Sequence, residues 1–388
     1  MNSIAKKIFY ASGLIALLLL APQAVKTAGA QVASAAHTLC LPAVYEQPPE
    51  DCLPFGPSQN LRELAESNIP LPVQPLEASR PSPELATLPY VYGRVTADEG
   101  FIYASLQDAV DRNDPVRTIE PGFNYVSYID VAVVDGRNYY MLTPTEWMRG
   151  GQLASNAATS RFMGLEFSST PRTKFGWVLH PVVSKHSPGL SAEDYTGREF
   201  AREDVVQVYD TVEASGLLWH LIGPGEWLEA RHVGLVYPNP VPPEGVTNGR
   251  WIEINLFEQT VAVYENSQLV YATLVATGSA GFWTRPGLFQ ITEKLESTPM
   301  TGAFEADRSD FYYLEDVPWT MYFDQARALH GAYWHNSFGY KQSHGCVNLS
   351  PADSQWLYNW GNIGDWVYVW DPSGETPTDP SLYGAGGA

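Results

Sequence analysis

Ile252, Ile254 and Leu256 alternate with Glu253 and Asn255, a period of two that predicts a strand with one face buried. The apolar run 261–264, the polar tetrad Glu265-Asn-Ser-Gln268 and the apolar run 269–277 predict a hairpin. Gly278, Gly281, Pro286 and Gly287 then mark loops between further strands. Near the end the pattern changes: Ser350 as N-cap, Pro351 at the first helical position and Asp353 in the first turn open a short helix. That helix carries Trp356, Leu357 and Trp360 on one side and stops at Gly361, and a last strand covers 365–370. The region 250–371 therefore reads as mainly β, with one short helix.

Upstream, Tyr139-Tyr-Met-Leu-Thr-Pro-Thr-Glu-Trp147 lines up with Trp219-His-Leu-Ile-Gly-Pro-Gly-Glu-Trp227 at an offset of 80, matching an aromatic, a Pro, a Glu and a Trp. Strand pairs Ile102-Tyr103 and Val208-Tyr209 are aligned upstream of the two copies. Two small β-barrel-like modules are predicted, over 90–160 and 161–236. They resemble the bacterial Src-homology-3-like modules attached to cell-wall enzymes. Their aromatics fit barrel core, and a groove binding cell-wall polymer along 90–236 stays open as the other reading; Tyr139 and Trp219 would be its contacts. Glu146 and Glu226, matched between the copies, are read as turn residues. A Pro-rich break, Tyr237-Pro-Asn-Pro-Val-Pro-Pro-Glu-Gly245, within a linker at 237–249, separates the modules from the C-terminal region. A fragment beginning near Thr247 is thus expected to fold alone, unless strands of the second module complete its core.

Residues 31–89 are dense in proline and read as an extended linker, and 372–388 as a disordered tail. Residues 1–30 combine Lys6 and Lys7, an apolar stretch 8–21 and the small-residue site Ala28-Gly-Ala30, the pattern of an export signal. The stretch is short of the about 20 residues that span a bilayer comfortably. Of the three cysteines, Cys40 and Cys52 form a natural local disulfide in an oxidising compartment, leaving Cys346 odd. Net charge is −20 and no Lys/Arg run could track a phosphate backbone, so nucleic acid is not an expected partner.

The odd cysteine sits in His330-Gly-Ala-Tyr-Trp-His335-Asn-Ser-Phe-Gly-Tyr-Lys-Gln-Ser-His344-Gly-Cys346, with three of the chain's eight histidines. A thiol becomes a useful nucleophile when an imidazole within hydrogen-bond reach takes its proton, and amide N–H groups in a Gly-containing loop can form an oxyanion hole. The gaps between these residues match no familiar metal framework, so neither a metal nor a cofactor is expected.

His330-Gly331 followed by Trp334-His335, Gly339 and Ser343-His-Gly-Cys-Val-Asn348 resembles the signature of the L,D-transpeptidase family, the YkuD-type catalytic domain of bacterial cell-wall enzymes. Thr277-Gly278 and Thr284-Arg-Pro-Gly287 also fit that domain, although the family often has Thr-Pro-x-Gly at the latter and an Arg in place of Asn348. The resemblance implies a β-sandwich with a short helix after the catalytic loop, and two-step acyl transfer on peptidoglycan stem peptides through a cysteine thioester. Cys346 would be the nucleophile, His330 the base and the Gly331 carbonyl its orienter. Backbone N–H groups of His344, Gly345 and Cys346 would hold the oxyanion, and Trp334, His335, Ser343 and Asn348 would line the substrate cleft. The His344 side chain is read as structural. Water-resolved hydrolysis on the same scaffold, or a non-catalytic wall-binding protein, are the alternatives. The expected location is outside the cytoplasm, at the cell wall or surface.

Overall fold

The computed structural model describes residues 38–40, 52–54, 69, 75–155, 159–191 and 193–384. The chain divides into two units, 1–60 and 61–388. In the first, Thr38–Cys40 pairs in parallel with Cys52–Pro54. The side chains of Cys40 and Cys52, and with them the expected bridge, lie outside the described residues, as does the export signal. Among the described residues no helix is long and apolar enough to cross a membrane.

In the second unit, the C-terminal region stands on two sheets. One runs in spatial order 287–290, 366–370, 250–255, 260–265, 268–274, 165–167, 78–79. The turn joining Thr260–Glu265 to Gln268–Leu274 has Asn266 and Ser267 at φ 51° and 61°, left-handed geometry that suits the twist of a tight hairpin. The other sheet runs 153–155, 91–95, 123–128, 312–324, 327–331, 347–349, with Glu293–Gly302 paired onto Tyr312–Asp324 as a long hairpin. Ile252, Ile254, Val263 and Val367 from the first sheet pack against Met321, Leu329 and Val347 from the second and Leu357 from the helix Pro351–Trp360. That helix starts as its sequence predicts: Ser350 Oγ accepts from the Asp353 N–H at 3.1 Å, and Gly361 caps the other end. Asp353 is also fully buried and accepts from Tyr271 (2.6 Å), Thr273 (2.5 Å) and the Gly164 N–H (2.7 Å), tying the helix to the first sheet.

The strand Arg250–Asn255 is not half-buried. Trp251 is as inaccessible as Ile252, because a second core lies behind the sheet in which Trp251, Tyr264 and Leu274 meet Phe175, Trp177 and Leu179 of the middle region. The strands completing this core come from before the Pro-rich break. Leu165–Phe167, inside the stretch assigned to the second module, pairs with the strand Gln268–Leu274, and Ala78–Ser79, inside the linker, pairs with Leu165–Phe167.

The repeat is present in three dimensions. In the first copy strands order as 117–119, 100–103, 146–149, 137–143, 130–134, and in the second as 195–200, 182–185, 226–229, 217–223, 210–214. Each copy adds a trio, 153–155, 91–95, 123–128 in one and 233–236, 174–178, 205–208 in the other. The matched glutamates accept from matched arginines, Arg117 to Glu146 at 2.8 Å and Arg198 to Glu226 at 2.6 Å. The upstream alignment needs correction: Ile102-Tyr103 lies in the strand equivalent to Val182–Lys185, whereas Val208-Tyr209 ends the equivalent of Phe123–Tyr128. The first copy inserts a helix, Leu106–Asp111, between strands, and that obscures the register. Tyr139 and Trp219 are each 3% exposed and belong to the copies' interiors, so a wall-binding groove built on them has no accessible surface.

The tail also departs from expectation, since residues 371–384 are folded. Asp371 caps a turn by accepting from Ser373 and Thr376, a 3-10 turn covers Pro380–Leu382, and the Tyr383 ring lies 5.2 Å from the Arg327 guanidinium.

Candidate active site

His330 lies on the strand Arg327–Gly331 and Cys346 immediately precedes Val347–Leu349. These strands are parallel neighbours, with Leu329 opposite Val347 and His330 opposite Asn348. The topology thus returns the chain to the same place, and both side chains line one cleft of about 240 Å³. The loop delivering the thiol is pinned on one side by residues of the predicted glycine-rich loops. Gln342 and Ser343 N–H groups both donate to the Thr277 carbonyl (2.9 and 3.0 Å). The Thr284 hydroxyl donates to the Gly345 carbonyl at 2.8 Å and accepts from the Gly278 N–H at 3.0 Å. Gly278 is required there, because a Cβ would stand 2.0 Å from the Phe282 carbonyl oxygen. On another side, Arg202 of the second repeat donates to the carbonyls of Asn336 (2.8 Å) and Phe338 (3.0 Å).

The His330 Nδ1 donates to the Gly331 carbonyl at 3.4 Å, which leaves the lone pair on Nε2. Burial pushes the His330 imidazole down to about 4, so it is neutral near pH 7. Cys346 is 4% exposed, and burial pushes its thiol up to about 11, opposed by the Ala328 backbone and the nearby Arg327 guanidinium. The resting pair is therefore a neutral thiol and a neutral imidazole. Such a pair suits proton transfer during attack rather than a standing thiolate. Behind the loop, Asp324 is held between the part-exposed Arg285 (2.5 Å) and the buried Arg327 (3.1 Å), a triad with one net positive charge whose Arg327 acts on the thiol.

The other expected residues divide. Trp334 lines the cleft, its ring 5.7 Å from that of His330. Ser343 also lines it, but spends its hydroxyl on the loop, accepting from the Gly345 N–H at 3.1 Å and donating to the Cys346 carbonyl at 2.5 Å. The Gly345 amide is therefore engaged and not free for an oxyanion in this state. Gly345 has φ +122°, a left-handed value that suits glycine. His344 stacks its ring on Phe304 (5.0 Å) and Tyr312 (5.5 Å) and also lines the cleft.

His335 reaches the cleft through Asn348. Its Nδ1 accepts from the Ser337 N–H at 3.1 Å and burial lowers its pKa to about 4, so the neutral ring carries its proton on Nε2. Nε2 lies 3.0 Å from the Asn348 Nδ2 position; because Nε2 donates, that position is assigned to the side-chain carbonyl oxygen. This orientation partners the otherwise unsatisfied Oδ1.

Sequence reading missed the rest of the lining. Met300, Asp310, Tyr312 and Leu314 come from the long hairpin, and Phe123 comes from the first repeat. The hairpin residues carry no motif. Phe123 lies far upstream in a module with no visible connection to the site, and only knowledge of the strand pairing places it there.

Residues 249–369 match the family model of the L,D-transpeptidase catalytic domain, YkuD. This region is an L,D-transpeptidase catalytic domain. Similar solved structures include an L,D-transpeptidase from Stackebrandtia nassauensis, 31% identical over 34% of this chain and 58% of that one, with a TM-score of 0.26. One from Mycobacterium smegmatis is 20% identical over 41% of this chain and 79% of that one, TM-score 0.30. L,D-transpeptidase 3 from Mycobacterium tuberculosis is 18% identical over 55% and 93%, TM-score 0.30. A search of curated proteins finds no match. The transpeptidase domain contains both His330 and Cys346, whereas Phe123, Arg202 and the tail against Arg327 lie outside the matched residues.

Proposed function

We propose that the protein is an exported acyltransferase of the cell wall that uses Cys346 as nucleophile. The thiol sulfur attacks the carbonyl at the L-configured centre of the diamino acid in a peptidoglycan stem peptide while His330 Nε2 takes the thiol proton. The oxyanion collapses to a thioester, and the terminal D-residue departs as an amine carrying the proton returned by His330. An amine from a neighbouring stem then attacks the thioester, gives a proton to His330, and releases Cys346 as the thiol. The Gly331 carbonyl orients the imidazole, and the N–H groups of His344 and Cys346 are the oxyanion donors, since Ser343 engages that of Gly345. Trp334, Asn348 and, through Asn348, His335 face the substrate. The reading of residues 1–30 as an export signal supports action outside the cytoplasm.

The observation that carries this reading is the convergence of Cys346 and His330 in one cleft of a domain matched to the transpeptidases. Chromatography of muropeptides incubated with the protein tests it. Release of the terminal D-residue with appearance of cross-linked dimers is expected, and Cys346→Ala is expected to abolish both. Release without dimers would assign the hydrolytic alternative, and undiminished release by the variant would overturn the nucleophile.

A further inference from the structure

The strand Phe123–Tyr128 of the first repeat pairs in parallel with the cleft hairpin, with Phe123 opposite Tyr312, Asn124 opposite Tyr313 and Tyr125 opposite Leu314. The Phe123 N–H donates to the Phe311 carbonyl at 2.9 Å. Beyond the paired residues the join continues through side chains. Glu315 accepts from the Ser127 N–H (3.0 Å), Asp316 from the Ser127 hydroxyl (2.6 Å), and the Asp316 carbonyl from the Tyr92 hydroxyl (2.7 Å). Tyr92 in turn stacks at 3.6 Å on Tyr333, the residue before Trp334. The first repeat is therefore locked to two walls of the cleft, with little freedom to slide against either.

Phe123 differs from the other aromatics discussed in this repeat. Tyr92, Tyr125 and Tyr139 are buried, whereas Phe123 is 38% exposed and its ring lines the cleft that holds Cys346 and His330. The exposed guanidinium of Arg94, from the neighbouring strand, lies 5.8 Å from the ring centroid. An apolar face with a cation above it, at the edge of a cleft also lined by Gln342 and Asn348, fits an extended peptide that bears a free carboxylate.

We infer that Phe123 contacts the bound stem peptide and helps determine which peptides are accepted, so that the first repeat is a wall of the active site and not an appended module. The inference rests on the function proposed above. Because the ring is fixed by the strand pairing and not by the catalytic loop, it bears on substrate binding and not on the reactivity of the thiol.

Two rates measured on the full chain separate these effects: steady-state turnover of a stem tetrapeptide, and alkylation of Cys346 by iodoacetamide, which carries none of the peptide that the Phe123 ring is inferred to contact. Phe123→Ala is expected to lower kcat/KM for the tetrapeptide about tenfold, mainly through KM, and to leave the alkylation rate within about twofold of wild type. Phe123→Leu, which keeps an apolar side chain, is expected to recover most of the loss. Unchanged kcat/KM in Phe123→Ala, or an equal fall in both rates, would overturn the inference, the second by showing that Phe123 only maintains the fold. Wild-type protein that is alkylated normally but does not turn over stem peptides would instead remove the functional reading, and the inference with it.

Discussion

The two repeats share one strand order, but their trios end differently. In the first, Phe123–Tyr128 gives its outer edge to the cleft hairpin, and one continuous sheet runs from the repeat through the hairpin to the strand after Cys346. In the second, the equivalent Val205–Val208 is the edge of a three-stranded sheet. The trio of that copy attaches instead through side chains, Phe175, Trp177 and Leu179 in the core behind Trp251 and Arg202 on the loop before Cys346, while Leu165–Phe167 ahead of the trio pairs by backbone with the strand Gln268–Leu274. A duplicated unit has thus been joined to one catalytic domain in two ways, by backbone pairing that shapes the cleft and by packing that supports its scaffold. Backbone pairing fixes register, so it can place a single side chain such as Phe123. Packing of large side chains in a close-packed core serves stability.

The largest effect should come from removing both attachments. A fragment beginning at Thr247 would expose Trp251, Tyr264 and Leu274, and it is expected to show no cooperative unfolding transition by circular dichroism. A sharp transition would mean that the shared core is dispensable. Next in size is Trp177→Ala, which empties a fully buried site between the second repeat and the catalytic domain. It should cost about 3–5 kcal/mol in urea denaturation, and a loss under about 1 kcal/mol would contradict the packing account. Arg202→Ala removes charged hydrogen bonds to the catalytic loop. About 1–2 kcal/mol of stability should be lost, together with slower acylation because the loop is less well placed. Lost stability with an unchanged acylation rate would confine Arg202 to folding.

The smallest effect concerns pH. The first repeat contains no histidine between residues 90 and 160, whereas the second buries His220, whose pKa burial lowers from 6.5 to about 4. Between those values the unfolded chain binds more protons than the folded one, so this contribution is complete above pH 6.5 and is lost as pH falls toward 4. Stability should decline from pH 7 to pH 5, and His220→Gln should flatten that decline. An unaltered slope in the variant would assign the acid sensitivity to other groups.

Much of the site was legible in the sequence because its chemistry is local. The Cys346 loop, the His330-Gly331 pair, the helix opened by Ser350 and the hairpin turned at Asn266-Ser267 each depend on neighbouring residues. Contributions from distant chain were not legible. Nothing local shows that Trp251 shares a core with Trp177, that Leu165–Phe167 leaves its module to join another sheet, or that Phe123 reaches the cleft. The tail misled for a related reason: its Gly, Ser, Thr and Pro residues match a disordered composition, yet Tyr383 finds a partner in Arg327, a residue whose role is visible only once Asp324 and Arg285 are beside it.

The central claim is covalent, and intact-mass spectrometry of acid-quenched mixtures of the protein with a stem tetrapeptide tests it most directly. The account predicts an adduct equal to the stem minus its terminal D-residue and the proton displaced from the thiol, mapped by digestion to the peptide containing Cys346, lost in Cys346→Ala and formed about 10²–10⁴ times more slowly in His330→Ala. Continued turnover with no adduct on Cys346, or the same adduct in the Cys346→Ala variant, would contradict it.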